Sequence, residues 1–448
     1  MLNIVCGTIF HALPPVPSEA PPEAPPAPAK TERDAWGSYP NLHLTENFAF
    51  KWGDEHGVSQ SQVEQLGEWF EQSWAMEVEE LGHTVPWGNQ SYLFNVYIGD
   101  TGGGVPSTFQ NSGYFTVDDQ NHPMIVYGWY TLDNVDFGQI VAAHEFHHAL
   151  QWAENRYGYE GVSAWYWEAS GNWAPYAVFP NNPYYAISFP YYTFLPHYPL
   201  NFFDYPDEGL FQEQYQYGAS LFLHHLSEVW ADRQLIVDSW QTGTSPDPLV
   251  TLDELLEARG SSLDEAFIDH IGRNATWDYP NPEIYPWVFD YYAEYYPDEA
   301  ANMVLGPVED FGSWTPPQEL IPAHYGYNVI QVDLEGLWEV QLIGLEEDGE
   351  YRGVLSIDDE RLPFEDKATG EGTARISVGT WGEADALYAY ELVFAPFGGS
   401  DTGDTGDPVA VPLPPQGLAC GCSTPADRTG PGLGLLVLLG VVSRRRVH

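Results

Sequence analysis

The sequence predicts an α+β fold: a mixed helical and strand region over residues 36–317, followed by a small β-sandwich over 318–397. Three observations predict it. Apolar residues recur at 3–4 spacing in several stretches of the first region, the period of a half-buried helix. From about Ile321 the pattern switches to alternation broken by turn residues, the period of strands. The chain is also rich in aromatics (15%) and poor in charge (18%), a composition that buries a core instead of staying disordered.

Each element follows in order. Residues 1–35 read as a leader and linker, because Leu13 to Ala29 is mostly Pro, Ala and Glu and favours extended chain. Folding is expected from Trp36. Ser59 to Leu81 sets Val63, Leu66, Trp69, Phe70, Trp74 and Val78 on one face, which predicts an amphipathic helix. Ser91 to Ile98 alternates as a strand, and after the turn at 102–104 two more strands are expected at Gly113 to Val117 and Met124 to Trp129. Asp136 to Ala153 turns helical. Gln212 to Ala231, Leu252 to Ala258 and Ser262 to Asn274 are further expected helices, the last opened by the capping pattern Ser262-x-x-Glu265. Short strands are expected around Val329, Gln341, Leu355, Ile376 and Leu387 to Phe394. Residues 398–417 read as an acidic flexible linker and 418–448 as a separate tail.

Charge narrows the partners. The chain has 65 acidic and 15 basic residues, a formal charge of -50. No nucleic-acid partner is expected, since a binder needs a basic surface to displace counterions from phosphates. Docking on anionic lipid is disfavoured for the same reason. The three cysteines, Cys6, Cys420 and Cys422, leave the folded body without a disulfide or a thiolate ligand. Any metal there must be held by His and carboxylates. The run Asp401 to Asp407 offers carboxylates to Ca2+, but a solvated linker is the weightier reading.

The chemistry lies in His144-Glu145-Phe146-His147-His148. On a helix, His144 and His148 at i and i+4 leave one face and can share one Zn2+, while Glu145 can reach a water on the metal. His147 points off that face and is expected to pack or hydrogen-bond. A catalytic zinc needs a third protein ligand. The metzincin pattern fails, because Gln151 stands where Gly is needed and Glu154 where His is needed. Glu168, twenty positions after His148, is the candidate.

This spacing resembles the thermolysin-like gluzincins, zinc metalloproteases with HExxH and a Glu ligand on a following helix. The resemblance implies a zincin-like catalytic domain with His144, His148 and Glu168 on the metal and Glu145 as general base. It also sets Asn172 where those proteins often have an Asp that orients a zinc-bound His. An oxyanion stabiliser is then expected among Tyr159, Tyr217, His224 and His225. Tyr217 is favoured, because Tyr217-Gly218-Ala219 opens a helix about fifty residues past Glu168, as in gluzincins. The chain is similar to secreted myxobacterial metalloproteases over the two motif helices, the Tyr217 helix, Ala266-Phe267 and the C-terminal strands. Its tail, Cys420-Gly421-Cys422, an apolar run and Arg444 to Arg446, resembles the C-terminal sorting tags of myxobacterial surface proteins.

The resulting expectation is a bacterial, secreted or cell-surface zinc metalloendopeptidase acting on protein or peptide, with envelope attachment through the tail. The alternative is a surface adhesion or binding protein with a structural or vestigial zinc site. An aminopeptidase would need an acidic pocket for the substrate amine, and none is located in the sequence. The aromatic stretch Tyr166 to Tyr205 reads as a packing layer before it reads as a substrate-gripping lid.

Overall fold

Runs of apolar residues build the first sheet. In the computed structural model, which describes residues 30–397 except 34–38, 107–111, 119, 206–207, 231, 281, 309–311 and 359, five strands form it. They are β1 (Asn41–Leu44), β2 (Phe48–Trp52), β3 (Phe94–Gly99), β4 (Gly113–Val117) and β5 (Pro123–Gly128), in the order β1-β2-β3-β5-β4. β2, β3 and β5 run parallel, while β1 and β4 are antiparallel at the two ends. The three central strands are buried along their whole length, as a sheet covered on both faces requires. Lys30 to Arg33 already lie against this body, and Thr31 pairs with Tyr92, so packing starts upstream of Trp36. The expected leader up to Ala29, the acidic linker and the Cys/apolar/Arg tail lie outside the described residues.

Helices α1 (Gln60–Ser73) and α2 (Val135–Glu154) pack on this sheet. Phe48 on β2 meets Phe70, Phe94 and Phe146 at ring-centroid distances of 5.2, 5.7 and 5.4 Å. The helix expected to reach Leu81 is regular only to Ser73; Trp74–Glu80 continues as a wider π turn. Ser59 and Gln62 cap its start reciprocally, a signal the periodicity reading passed over.

The aromatic stretch folds into α3 (Ala164–Val178), α4 (Phe189–Thr193) and the turns between them. Tyr185, Phe189, Tyr192 and Phe194 are each 2% exposed or less, so they form a packing layer. The helix expected over Gln212 to Ala231 divides into α5 (Tyr215–Gly218) and α6 (Ser220–Glu228). α7 (Arg233–Gln241), α8 (Pro248–Glu257), α9 (Leu263–Thr276), α10 (Ile284–Tyr295) and α11 (Pro297–Ala300) follow. Ser262 caps α9 by accepting from the Glu265 N–H at 3.2 Å, but the Glu265 carboxylate accepts from Ser261 instead, so only half of the expected box forms. No helix of the described residues is long and apolar enough to cross a membrane.

The C-terminal strands are β6 (Leu305–Val308), β7 (Ser313–Trp314), β8 (Gly326–Gly344), β9 (Glu350–Ile357), β10 (Glu360–Phe364), β11 (Lys367–Trp381) and β12 (Tyr390–Pro396). Where a sandwich of two sheets was expected, they hydrogen-bond into one, ordered β10-β9-β11-β8-β12-β7 with β6 beside β8. The physical reason is the length of β8, which the alternation reading had split in two, and of β11, of which it had read only Ala374 to Val378. Their pairing slips between Gly370 and Gly372, and such a bulge bends a sheet instead of ending it. Side chains then divide by parity. Ile376 and Val378 join a core with Ile330, Val332, Val340, Leu355 and Leu392. Ser377 and Gly379 face α9, where Ser377 donates to the Ile271 carbonyl at 3.0 Å. The molecule is thus α+β, as expected, and its described residues fall within one compact unit.

Candidate metal centre

The centre is built on α2. Asn134 caps its start by accepting the Phe137 N–H, and Asn155 closes its end in the left-handed conformation. From Ile140 to Ala153 every residue is buried, so the helix runs through the interior and not along its surface. Its i and i+4 histidines meet as the spacing predicts: His144 Nε2 lies 2.9 Å from His148 Nε2. Glu168 reaches them from α3, with Oε2 at 3.4 Å from His144 Nε2 and 3.7 Å from His148 Nε2. Close approach of the two helices depends on Gly171, where a Cβ would come within 2.9 Å of the His144 ring.

The orientation of each ligand is determined by its neighbours. His144 Nδ1 donates to Asn172 Oδ1 at 2.8 Å, and His148 Nδ1 donates to Gln151 Oε1 at 2.7 Å. The amide directions are not arbitrary. Asn172 Nδ2 donates to Ser188 Oγ and the Tyr217 carbonyl, and Gln151 Nε2 donates to the Trp167 carbonyl and Ser170 Oγ. Both Nδ1 atoms are therefore committed as donors, which leaves the two Nε2 atoms as the candidate ligand atoms. Tyr159 donates to Glu168 Oε1 at 2.9 Å, which turns Oε2 to the histidines.

Charge at the cluster favours a cation. Burial pushes the Glu168 carboxyl up, but the two histidines outweigh it and hold it down at about 2. Burial pulls His148 down, yet Glu168 and Glu145 reverse this and raise it. The residues fit a zinc ion. Zinc to N or O distances of about 2.0–2.1 Å in a tetrahedral shell place neighbouring ligand atoms about 3.3 Å apart, within the observed span. His144, His148 and Glu168 are the residues that would hold it, and all three are buried.

Glu145 lies beside His144 on the same buried turn, close enough to act on His148 electrostatically. β4, the last strand of its sheet among the described residues, lies over it. A Cβ on Gly113 would meet Glu145 Cγ at 2.9 Å.

The other expected residues separate. The Tyr217 ring is 6.2 Å from that of His144 and is buried at the centre. Tyr159, considered as an oxyanion donor, instead holds Glu168. His224 packs among Tyr176, Tyr185 and Phe189, and His225 beside Phe222 and His270. Burial depresses both to about 3, as befits neutral core histidines. His147 leaves the ligand face as expected and lies 2.6 Å from Glu77 Oε2. Sequence reasoning missed Gln151 as a positioning residue, although its place three residues after His148 on one helix was the signal. It also missed Glu77 and His83.

Comparison with known proteins yields little on function. No curated protein matches the chain. A family defined by sequence, however, spans residues 21–356, from upstream of the first strand through the candidate metal centre and into β9. By that match the chain belongs to DUF6055, a family of unknown function.

Proposed function

We propose that this chain is a zinc-dependent peptide-bond hydrolase of gluzincin type with a zincin-like catalytic fold. The observation that carries the reading is the convergence of His144 Nε2, His148 Nε2 and Glu168 Oε2 within 3.7 Å, beside the Glu145 carboxylate. Three protein ligands with a carboxylate next to them is a catalytic donor set; structural zinc sites are usually closed by four. A bound zinc ion would lower the pKa of a water molecule and polarise the scissile carbonyl.

The chain's own residues do the rest. Glu145 takes a proton from the attacking water as its oxygen bonds to the carbonyl carbon. It returns that proton to the amine nitrogen as the C–N bond breaks. Tyr217 is the proposed donor to the oxyanion that develops in between. Asn172, Gln151 and Tyr159 keep the ligands aligned. An extended peptide added alongside β4 would bring its backbone next to Glu145, the way peptides join sheet edges elsewhere. The acidic body and the Cys/apolar/Arg tail support a secreted or cell-surface location.

One observation favours the second reading, a binding protein with a structural zinc. His144, Glu145, His148 and Glu168 are all buried, so substrate has to part some of the surrounding packing. A casein or peptide-library assay on the full chain separates the two. Chelation should stop hydrolysis and zinc should restore it. Glu145→Gln should keep its zinc and lose about 10²–10⁴-fold in rate, the usual contribution of a general base. Hydrolysis that survives in Glu145→Gln would rule out this mechanism. A zinc-loaded protein without hydrolytic activity would favour the binding reading.

A further inference from the structure

We propose that Glu77, His83 and His147 form a second, structural metal site for a zinc-class divalent cation on a different face of α2. All three side chains are buried, and each offers a ligand atom within 4.8 Å of the other two. His147 Nδ1 lies 2.6 Å from Glu77 Oε2, and the His83 and His147 rings stand perpendicular with centroids 5.2 Å apart. These residues share no atom with the first centre, and the inference does not depend on peptide hydrolysis.

Local structure brings them together. The turn after α1 widens so that the Leu81 N–H reaches the Met76 carbonyl at 2.9 Å. Wide turns of this kind recur at functional sites. Glu77 falls on the same helical face as Phe70 and Ser73, so its carboxylate enters the interior. Gly82 then takes a positive φ of 81°. The His83 N–H closes back on the Glu77 carbonyl at 3.0 Å.

The polar atoms left over point to a ligand. Glu77 Oε1, His147 Nε2 and His83 Nε2 are buried and make no hydrogen bond, and His83 Nδ1 has only Glu154, at 3.5 Å. Protein interiors rarely leave such atoms unsatisfied, and here three gather in one cluster. A hydrogen bond between Glu77 and His147 accounts for two other atoms and for none of these three. One oxygen of Glu77 and one nitrogen from each histidine make three donor atoms, and the unpartnered second oxygen of Glu77 is at hand for a fourth position, unlike Glu168 Oε1, which accepts from Tyr159. A set rich in imidazole and without thiolate suits Zn2+ and its neighbours better than Ca2+, Mg2+ or Cu+.

An outer carboxylate is also in place. Glu154 Oε1 stands 3.5 Å from His83 Nδ1 and accepts from the Thr84 N–H and Gln241 Nε2, while Oε2 accepts from the Thr84 hydroxyl. Metal-bound histidines commonly have such a partner. Cation binding displaces the proton that joins Glu77 to His147. The bound ion ties the segment 74–83 to α2 next to the first centre.

Metal analysis of the purified full chain after exhaustive dialysis tests this. The expected zinc content is two per chain, falling to one in Glu77→Gln, to one in Glu168→Ala and to none in the double variant. A wild-type content of one that Glu77→Gln retains overturns the proposal. Should Glu77→Gln fail to fold, zinc K-edge absorption on Glu168→Ala decides. A shell containing two imidazoles and a carboxylate supports the second site. Absence of bound zinc, or a shell of oxygen atoms only, as for ions held on the acidic surface, overturns it.

Discussion

The two His/Glu clusters on α2 use the same residue types and are held in opposite ways. At His144 and His148, both outer nitrogens donate to neutral amides, Asn172 and Gln151, whose own NH₂ groups are engaged elsewhere. The two Nε2 atoms face each other and Glu168, which is held down at about 2 beside them. At His147 the Nδ1 bonds directly to the cluster's own carboxylate. Burial there pushes Glu77 well above the usual carboxylate range and His147 well below the usual histidine range, the opposite direction to Glu168. His83 has only Glu154, at 3.5 Å. What prepares a cluster for a cation is thus less its ligands than the neutral acceptors behind them. The second cluster closes on itself through a proton, and its metal affinity should be the weaker of the two.

The sharpest way to break this comparison is Glu168→Ala. It removes the one anionic ligand of the first cluster, so zinc should leave that cluster and hydrolysis should vanish, while metal at the second cluster stays. Metal analysis that shows no change in occupancy would mean that Glu168 is not the third ligand. Next in size is Tyr217→Phe. Loss of an oxyanion donor lowers kcat by about 10²–10³-fold with zinc content unchanged. A kcat within a factor of about two of wild type would reduce Tyr217 to a packing residue. The smallest effect is expected for Asn172→Ala, which removes an outer acceptor and should weaken zinc binding at the first cluster by about 10–100-fold. A competition titration with a chelating dye measures it. Affinity equal to wild type would mean that outer amides do not explain the difference between the clusters.

The first cluster was legible because its chemistry is local. An i, i+4 pair and a carboxylate one helix later are readable as spacing, and so was Asn172 one turn beyond Glu168. Gln151 was visible but was weighed only as a departure from another pattern. The second cluster was not legible for a physical reason. His147 meets Glu77 across seventy positions, and the periodicity reading chose Val78 as the buried residue of that turn. The structure buries Glu77 fully and leaves Val78 only half-buried, so a carboxylate occupies the apolar stripe. The C-terminal strands were legible as alternation, but their continuity was not. Whether two short strands are one long strand depends on a bulge at Gly370 to Gly372, which hydrophobic pattern does not record. β2 was missed because five consecutive buried residues carry no alternation to read, and β1 because its four residues include none that is buried.

The contact between α9 and β11 bears on how the chain can be cut. Phe267, Ile268 and Ile271 would be the nearest neighbours of a Cβ at Gly379, the Tyr327 hydroxyl accepts from Asn274 Nδ2 at 3.0 Å, and Tyr325 donates to Asp264 at 2.6 Å. A fragment ending at residue 317 would put those three apolar side chains in water, at about 1.5–3 kcal/mol each. That is comparable to the whole stability of a typical domain, about 5–15 kcal/mol. The sheet therefore works as the closing wall of the helical region, and the shortest soluble piece worth expressing runs to Phe397.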